Sequence, residues 1–124
     1  MSCEKVWEPQ GLYRKFSGDI SLVEILESNL EDHSDHRFPD IDYVIDDMSE
    51  ITSLSLADHD TAAIAKVNDM FAATKHRFKI AICIQDNPMQ KKIAQGFQEQ
   101  MEDTPFQCGV FLNLTDARVW AVAP

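Results

Sequence analysis

Two short, continuous apolar runs constrain the fold of this 124-residue chain more than any other feature. Residues 41–48 alternate apolar and acidic side chains and then present Tyr43, Val44 and Ile45 in succession. Residues 78–84 form a second run that is broken only by Lys79. Runs of this length are typical of strands buried on both faces of a sheet. Because a helix-like segment follows each run, the two strands are expected to be parallel.

The segment before the first run predicts a hairpin followed by a helix. Residues 4–9 and 12–16 are two short strand candidates separated by Gln10 and Gly11. Gly18 and Asp19 interrupt that pattern, so the second strand is expected to end before them. Ser21-x-x-Glu24 is a capping box, which places the start of a helix at Leu22. The apolar face of this helix is expected to consist of Leu22, Ile25, Leu26 and Leu30.

The rest of the chain alternates helices and strands. Residues 49–57 are expected to form a loop, and the alanine-rich residues 58–75 a helix. Asn87 as cap and Pro88 at the first helical position begin a third helix, and residues 108–112 form a last strand. Thr115 is the expected cap of a closing helix over residues 116–122. The prediction is therefore one α/β domain over residues 1–124, with the order ββαβαβαβα, a mixed but mostly parallel sheet, an N-terminal hairpin and four helices.

Composition narrows the classes of partner. The formal net charge of −10 disfavours binding to nucleic acid or anionic membranes, because both attract Lys and Arg. The N-terminal residues do not resemble a secretory signal, and no apolar stretch approaches a membrane span, so a cytoplasmic protein is expected. Cys3, Cys83 and Cys108 lack metal-binding or redox spacing and are expected to be reduced thiols in or near the core.

At this level of detail the chain resembles the STAS superfamily, specifically the SpoIIAA-like branch of small bacterial proteins. The resemblance lies in the order of elements and in four segments spread over almost the whole chain: Phe16-Ser-Gly-Asp-Ile-Ser-Leu, Tyr43-Val-Ile-Asp-Asp-Met-Ser, Lys79-Ile-Ala-Ile-Cys-Ile and Val110-Phe-Leu-Asn-Leu-Thr-Asp-Ala-Arg-Val-Trp. The resemblance implies a STAS/SpoIIAA-like fold and a non-enzymatic regulatory or protein-interaction module. It places the partner surface on the loop and helix start after the central strand.

The residues expected to bind a partner by this resemblance are Asp47, Ser49, Ser53, Ser55 and Asp58. Anti-sigma-factor antagonists of the family carry Asp-Ser-Ser-Gly in this loop, and the Ser at the helix start is phosphorylated. This chain has Leu54-Ser-Leu-Ala-Asp58 instead, so Ser53 and Ser55 are only the nearest candidates for phosphorylation. Ser55-x-x-Asp58 also fits a capping box, which is a structural role.

Two alternatives remain open for a partner other than a distinct protein. One is a small apolar molecule or lipid in a cleft between sheet and helices, with Phe71, Phe97 and Met101 as candidate lining residues. A cavity of roughly 300 Å³ or more would favour that alternative. The other is a second copy of the chain in a homodimer.

An enzyme or a metal site would need other side chains to converge. Asp46, Asp47 and Asp86 end two parallel strands and would have to meet at one sheet edge, although Asp is also common in turns. His33-x-x-His36 would need His59 or His76 as a third ligand for zinc, and a solvated helix end explains it equally well. No phosphate-binding glycine loop or known catalytic motif occurs. The sequence thus predicts no catalytic residue, no metal and no cofactor.

Overall fold

A five-stranded sheet with helices on both faces follows from the predicted alternation. The computed structural model describes residues 2–55, 60–69, 78–102 and 104–124. Its elements, in chain order, are β1 (Ser2–Trp7), β2 (Gly11–Ser21), α1 (Leu22–His33), a 3₁₀ turn (Phe38–Asp40), β3 (Tyr43–Ser55), α2 (Asp60–Asp69), β4 (Phe78–Cys83), α3 (Pro88–Gln100), β5 (Phe106–Phe111) and α4 (Leu114–Val122). None of the described helices is both long and apolar enough to cross a membrane.

The sheet has the strand order β1-β2-β3-β4-β5. β1 and β2 form the predicted antiparallel hairpin, and β2, β3, β4 and β5 are successively parallel. The predicted mixed, mostly parallel sheet is therefore confirmed. Gly11 is required where the hairpin meets β3, because a Cβ atom there would come within 2.2 to 2.5 Å of three ring atoms of Tyr43.

Alternate residues of the central strands build two separate cores. Val44 faces a large apolar cluster that contains Phe16 and Phe97, beneath the layer of α1, α2 and α3. Ile45 faces the opposite way, into a smaller cluster with Ala117 of α4. The continuous apolar run of β3 is explained by this burial on both faces.

Two strands are longer than predicted. β2 continues through Gly18 and Asp19 to Ser21, with irregular register at two points and Gly18 at a φ of 77°. β3 continues through Ser49 and Ser53 to Ser55, so the prediction of a loop over residues 49–57 is wrong for all its members that the structure describes. The physical reason is mutual pairing: each strand supplies the backbone partners of the other, and polar side chains occur because one face is exposed to solvent.

The capping residues in the sequence predicted two helix starts correctly and one incorrectly. The Ser21–Glu24 capping box is present at the start of α1, and Asn87 caps α3 with Pro88 in its first turn. The closing helix is capped by Asn113 instead of Thr115, because the Oδ1 atom of Asn113 accepts from the backbone N–H of Asp116 at 2.8 Å. The predicted helix 58–75 is confirmed over 60–69, and its remaining residues lie outside the described ranges.

Candidate functional site

β2 and β3 project beyond the rest of the sheet as a two-stranded extension. β4 pairs with β3 only as far as Asp47, whereas β2 and β3 remain paired up to Ser21 and Ser55. We call residues 17–21 and 49–55 the β2–β3 extension. The segment that was predicted as a contact loop therefore lies on a two-stranded ribbon.

The outer face of the β2–β3 extension carries hydroxyl and carboxylate groups. Ser53 and Thr52 donate hydrogen bonds to the same Oδ1 atom of Asp19, at 2.6 and 3.0 Å. These bonds, that from Ser53 first, lower the pKa of Asp19 below its ordinary value. Glu50 is exposed next to them, and its carboxylate lies 3.0 Å from the ammonium group of Lys15. We call Asp19, Glu50, Thr52 and Ser53 the acidic ridge.

The predicted contact residues divide among three environments. Ser49 and Ser53 are exposed on the extension, as a contact surface requires. Asp47 is only 5% exposed, and its carboxylate accepts from the Tyr13 hydroxyl at 2.7 Å and from the Ser49 backbone N–H at 3.0 Å. Asp47 therefore supports the backbone at Ser49 and is not itself an exposed contact residue. Ser55 is the last residue of β3, paired with Ser21, and Asp58 lies outside the described residues.

The candidate phosphorylation site Ser53 lies in a strand and not in the loop that the sequence predicted. Ser53 lies within β3 and its hydroxyl donates to Asp19, so it is not at a helix N-terminus, where an added phosphate would be stabilised. A phosphate would replace this hydrogen bond with repulsion between two anions. Modification of Ser53 stays a prediction, and it would require basic groups from a partner.

A buried arginine that the sequence reasoning missed lies on the opposite face of the same strands. Arg14 of β2 is 3% exposed. Its Nε and Nη2 atoms donate to the two carboxylate oxygens of Asp46 at 2.7 and 2.9 Å. Its Nη1 atom donates to three side chains of α1, namely Ser28, Asn29 and Asp32. We call these five residues the Arg14 cluster.

The Arg14 cluster corrects the predicted apolar face of α1. Asn29 and Asp32 are buried, whereas Leu30, which was expected to face the core, is 43% exposed. The reason is that α1 turns its polar residues toward Arg14, and Lys5 of β1 adds a bond from its ammonium group to Asp32 at 2.7 Å. The sequence feature that could have predicted these buried polar residues is Arg14 itself, because it lies between Leu12 and Phe16 on the inward-facing side of β2.

The three carboxylates considered for acid–base chemistry do not converge. Asp46 faces α1 and binds Arg14, Asp47 faces the other side of the sheet, and Asp86 is exposed with Lys91 at 2.5 Å. Burial opposes ionisation of Asp47, but hydrogen bonds from Ser49 and Tyr13 outweigh it and hold the pKa of that carboxyl below its ordinary value. A general acid or base near neutral pH needs the opposite shift.

The three thiols are free, as predicted, and their environments do not activate them. Burial, followed by the charges of Asp47 and Asp46, raises the pKa of Cys83 to about 12. Burial followed by the charge of Asp46 raises the pKa of Cys108 to about 12 as well. Reactive cysteines have lowered pKa values in electropositive surroundings.

The two histidines of the candidate zinc motif point to different environments. His33 is buried with its ring centroid 4.5 Å from that of Phe38, whereas the side chain of His36 is 88% exposed beside Asp35. No group of three metal-ligating side chains occurs within the part of the chain that the structure describes. His59 and His76 lie outside that part.

An apolar cleft lies between the sheet and the layer of α1, α2 and α3, the location considered for the alternative of a small apolar ligand. Its volume is about 70 Å³, below the roughly 300 Å³ set as favourable for a drug-sized ligand. Phe97 lines it as predicted, Met101 is not among its lining residues, and Phe71 lies outside the described ranges. Asn29 and Asp46 of the Arg14 cluster form part of its wall.

A second, more polar groove lies at the amino ends of the strands, beside the last residues of the chain. Its volume is about 530 Å³, and Asp42, Lys79 and Gln107 line it. The ammonium group of Lys79 donates to the backbone carbonyls of Trp120 and Ala123 at 2.8 and 2.7 Å. Lys79 therefore caps the C-terminal end of α4.

Asp47→Asn is expected to make the stability of the protein less sensitive to acid. The folded-state pKa of Asp47 lies below its ordinary value of 3.8, so its ionised form stabilises the fold above that pH. This contribution disappears as the pH falls through the lower, folded-state pKa. The difference in unfolding free energy between wild type and Asp47→Asn should therefore be larger at about pH 6 than at about pH 2.

Urea unfolding at the two pH values measures this difference. Tyr13→Phe provides an independent comparison, because it removes one of the two donors to Asp47 and should reduce the same pH dependence in part. An equal or larger difference at the acidic pH would show that the hydrogen bonds to Asp47 do not stabilise its ionised form.

Comparison with known proteins identifies the fold. No protein-family model matches the chain, and no curated protein matches it. Among solved structures, the chain resembles an uncharacterised protein of the DUF3478 family with a SpoIIAA-like fold from Shewanella loihica PV-4. The TM-score is 0.57 at 18% sequence identity, over 97% of this chain and 92% of that chain. The predicted SpoIIAA-like fold is thus confirmed, and at this identity the likeness extends to the fold alone.

Proposed function

We propose that this SpoIIAA-like domain is a non-enzymatic regulatory module that binds a basic segment of a cytoplasmic protein partner on its acidic ridge. The observation that carries the proposal is the β2–β3 extension, which projects past β4 and exposes Asp19, Glu50, Thr52 and Ser53 on two paired strands. Paired strands position contact side chains more precisely than a loop does.

The charge of the ridge specifies the chemistry of the partner. Asp19 is held ionised by two hydroxyl donors, and the side chain of Glu50 is 58% exposed although it contacts Lys15. Lys or Arg side chains of a partner can bind these carboxylates, and Arg can do so with two parallel hydrogen bonds. The net charge of −10 adds long-range attraction for a basic surface. A second copy of the chain is a poorer occupant because it would bring the same acidic surface.

The predicted contact residues acquire separate roles in this proposal. Ser49 and Ser53 contribute to the contact surface, and the carboxylate of Asp47 accepts a hydrogen bond from the backbone N–H of Ser49 and fixes its position. Ser55 and Asp58 stay predictions as contact residues. The separation of Asp46, Asp47 and Asp86 supports a binding role over an enzymatic one.

The experiment compares Glu50→Lys with a matched substitution elsewhere. Glu99 is an exposed glutamate of α3, so Glu99→Lys makes the same change in net charge away from the ridge. Affinity capture from native cytoplasm with wild type and both variants identifies candidate partners. Titration of the purified partner then measures the dissociation constant of each complex at low and at physiological salt.

Glu50→Lys is expected to weaken the complex about tenfold and to reduce its salt dependence, whereas Glu99→Lys should leave both nearly unchanged. The reason is that the substitution places a second ammonium group beside that of Lys15, and the two together repel a basic partner. Equal affinity of wild type and Glu50→Lys for every captured partner would refute the acidic ridge as the binding surface.

A further inference from the structure

The side-chain amide of Gln85 supports the backbone of the β2–β3 extension. β3 pairs with β4 only as far as Asp47, so the carbonyl groups of Ser49 and Ile51 lie beyond the last paired residue. The Nε2 atom of Gln85 donates to both carbonyls, at 2.9 Å each. Gln85 is the second residue after the end of β4. Its amide therefore takes the role that backbone N–H groups would have in a longer β4.

Gln85 is itself held by Gln90 in the first turn of α3. The Oε1 atom of Gln85 accepts from the Nε2 atom of Gln90 at 3.1 Å, and the Oε1 atom of Gln90 accepts from the backbone N–H of Gln85 at 2.9 Å. Gln90 is 7% exposed, and its backbone N–H donates to the cap Asn87 at 2.8 Å. Because Gln90 holds the Oε1 atom of Gln85, the Nε2 atom is directed toward β3. A continuous series of hydrogen bonds thus joins α3 to the β2–β3 extension.

The β2–β3 extension needs such a support because its own pairing is irregular. The register of β2 and β3 shifts at two points within residues 15–19. Irregularities of this kind interrupt the ladder of backbone hydrogen bonds, and a two-stranded ribbon is only marginally stable by itself. The two bonds from Gln85 fall on both sides of Glu50 and immediately before Thr52. They therefore fix the part of β3 that carries most of the acidic ridge.

We propose that Gln85 is a positioning residue of the acidic ridge, whose two hydrogen bonds to β3 hold residues 50–53 in the geometry in which the ridge binds. Contact side chains keep a precise geometry only where a supporting layer of hydrogen bonds fixes them. The consequence for binding rests on the proposed function, whereas the effect on the backbone and on Asp19 requires no partner. The two can therefore fail separately.

Gln85→Met tests the effect on the backbone, because it removes both donors and leaves the charge unchanged. Gln98→Met is the matched control, since the Nε2 atom of Gln98 donates to the backbone carbonyl of Cys108 at 2.8 Å, in β5 at the far edge of the sheet. Amide hydrogen exchange of ¹⁵N-labelled protein is followed by NMR. Gln85→Met is expected to accelerate exchange about tenfold at residues 50–53, whereas Gln98→Met should leave exchange there nearly unchanged.

The ionisation of Asp19 reports the geometry of the ridge directly. Hydrogen bonds from Ser53 and Thr52 lower the pKa of Asp19, so displacement of these donors in Gln85→Met should raise that pKa toward its ordinary value. ¹³C NMR of the Asp19 carboxyl group measures it, and Gln98→Met should leave it unchanged. A general loss of stability would not move the pKa of Asp19 while the protein is folded. Either unaltered exchange at residues 50–53 or an unaltered pKa of Asp19 in Gln85→Met would overturn the proposal.

Gln85→Glu tests the consequence for binding. It also removes the donors to β3, but it adds a negative charge that by itself should strengthen the attraction of a basic partner. With the partner purified for the Glu50→Lys experiment as the probe, the dissociation constant is expected to rise about fivefold in spite of this charge. An unchanged or tighter complex would overturn the role of Gln85 in binding. If Glu50→Lys leaves that partner's affinity unchanged, the proposed function fails, while amide exchange and the pKa of Asp19 still decide whether Gln85 positions the ridge.

Discussion

Arg14→Met is expected to lower the free energy of unfolding by about 3 to 5 kcal/mol, because it removes the guanidinium that pairs with the part-buried carboxylate of Asp46 and the buried carboxylate of Asp32. Asp32 is 3% exposed, so water cannot replace the lost guanidinium without local opening. Lys5 still contacts Asp32 at 2.7 Å, which limits the loss at that residue but does nothing for Asp46.

Arg37→Met is the matched control, since Arg37 also pairs with an aspartate but does so on the surface. Its guanidinium contacts Asp35, two residues away in the chain, and its side chain is 47% exposed. Exposed ion pairs contribute about 0 to 1 kcal/mol, so this variant should be close to wild type. Chemical denaturation followed by circular dichroism measures both. A loss below about 1 kcal/mol for Arg14→Met would show that the cluster is not a stabilising feature.

The double variant Arg14→Met with Asp46→Leu distinguishes an unpaired charge from lost packing. Replacing both partners removes the uncompensated carboxylate of Asp46, although that of Asp32 remains, so the double variant should recover part of the stability lost in Arg14→Met alone. A double variant that is as unstable as the sum of both single changes would indicate that packing around Arg14, and not charge, is the stabilising element.

Phe78→Ala is expected to cost about 3 to 5 kcal/mol through the cavity it leaves in the larger core. Phe78 is 1% exposed, and its ring centroid lies 5.3 Å from that of Phe38 and 5.4 Å from that of Phe106. This row of rings joins the 3₁₀ turn, β4 and β5, so its removal loosens three elements at once. The free energy of unfolding from urea titration is the measurement.

Phe78→Leu and Val119→Ala are the controls for that experiment. Leucine retains much of the apolar volume, so Phe78→Leu should lose clearly less stability than Phe78→Ala. Val119 is 66% exposed on α4, and its truncation should change stability by less than about 0.5 kcal/mol. Similar losses of unfolding free energy for all three variants would show that the packed rings of Phe38, Phe78 and Phe106 do not stabilise the core more than an exposed apolar side chain does.

The neighbouring residues Asp46 and Asp47 have different roles because their side chains lie on opposite faces of the sheet. They are adjacent in β3, so their side chains point to opposite faces of the sheet. Asp46 belongs to the Arg14 cluster and the cleft, whereas Asp47 supports Ser49 beside the acidic ridge. The same pair appeared in the sequence as a candidate acid–base couple. Strand geometry makes that role unfavourable, because it separates the two carboxylates by the thickness of the sheet.

The candidate site was predictable only in part. The sequence located residues 49–55 as a polar segment after the central strand, and Ser49 and Ser53 are indeed exposed there. It did not show that Asp19, 34 positions before Ser53, accepts a hydrogen bond from it. That contact exists because β2 and β3 pair in parallel, and the register of such a pair is set by tertiary packing.

The sequence by itself determined the order of the elements, the two central strands, the capped starts of α1 and α3 and the acidic character of the surface. These features depend on periodicity, capping residues and charge, which act over a few positions of the chain. Only the tertiary structure decided that β2 and β3 extend past β4, that α1 turns Asn29 and Asp32 inward, and that Asn29 and Asp46 form part of the wall of the cleft. Each of these outcomes depends on Arg14 or on β2–β3 pairing, and the groups involved meet across 14 to 34 positions of sequence.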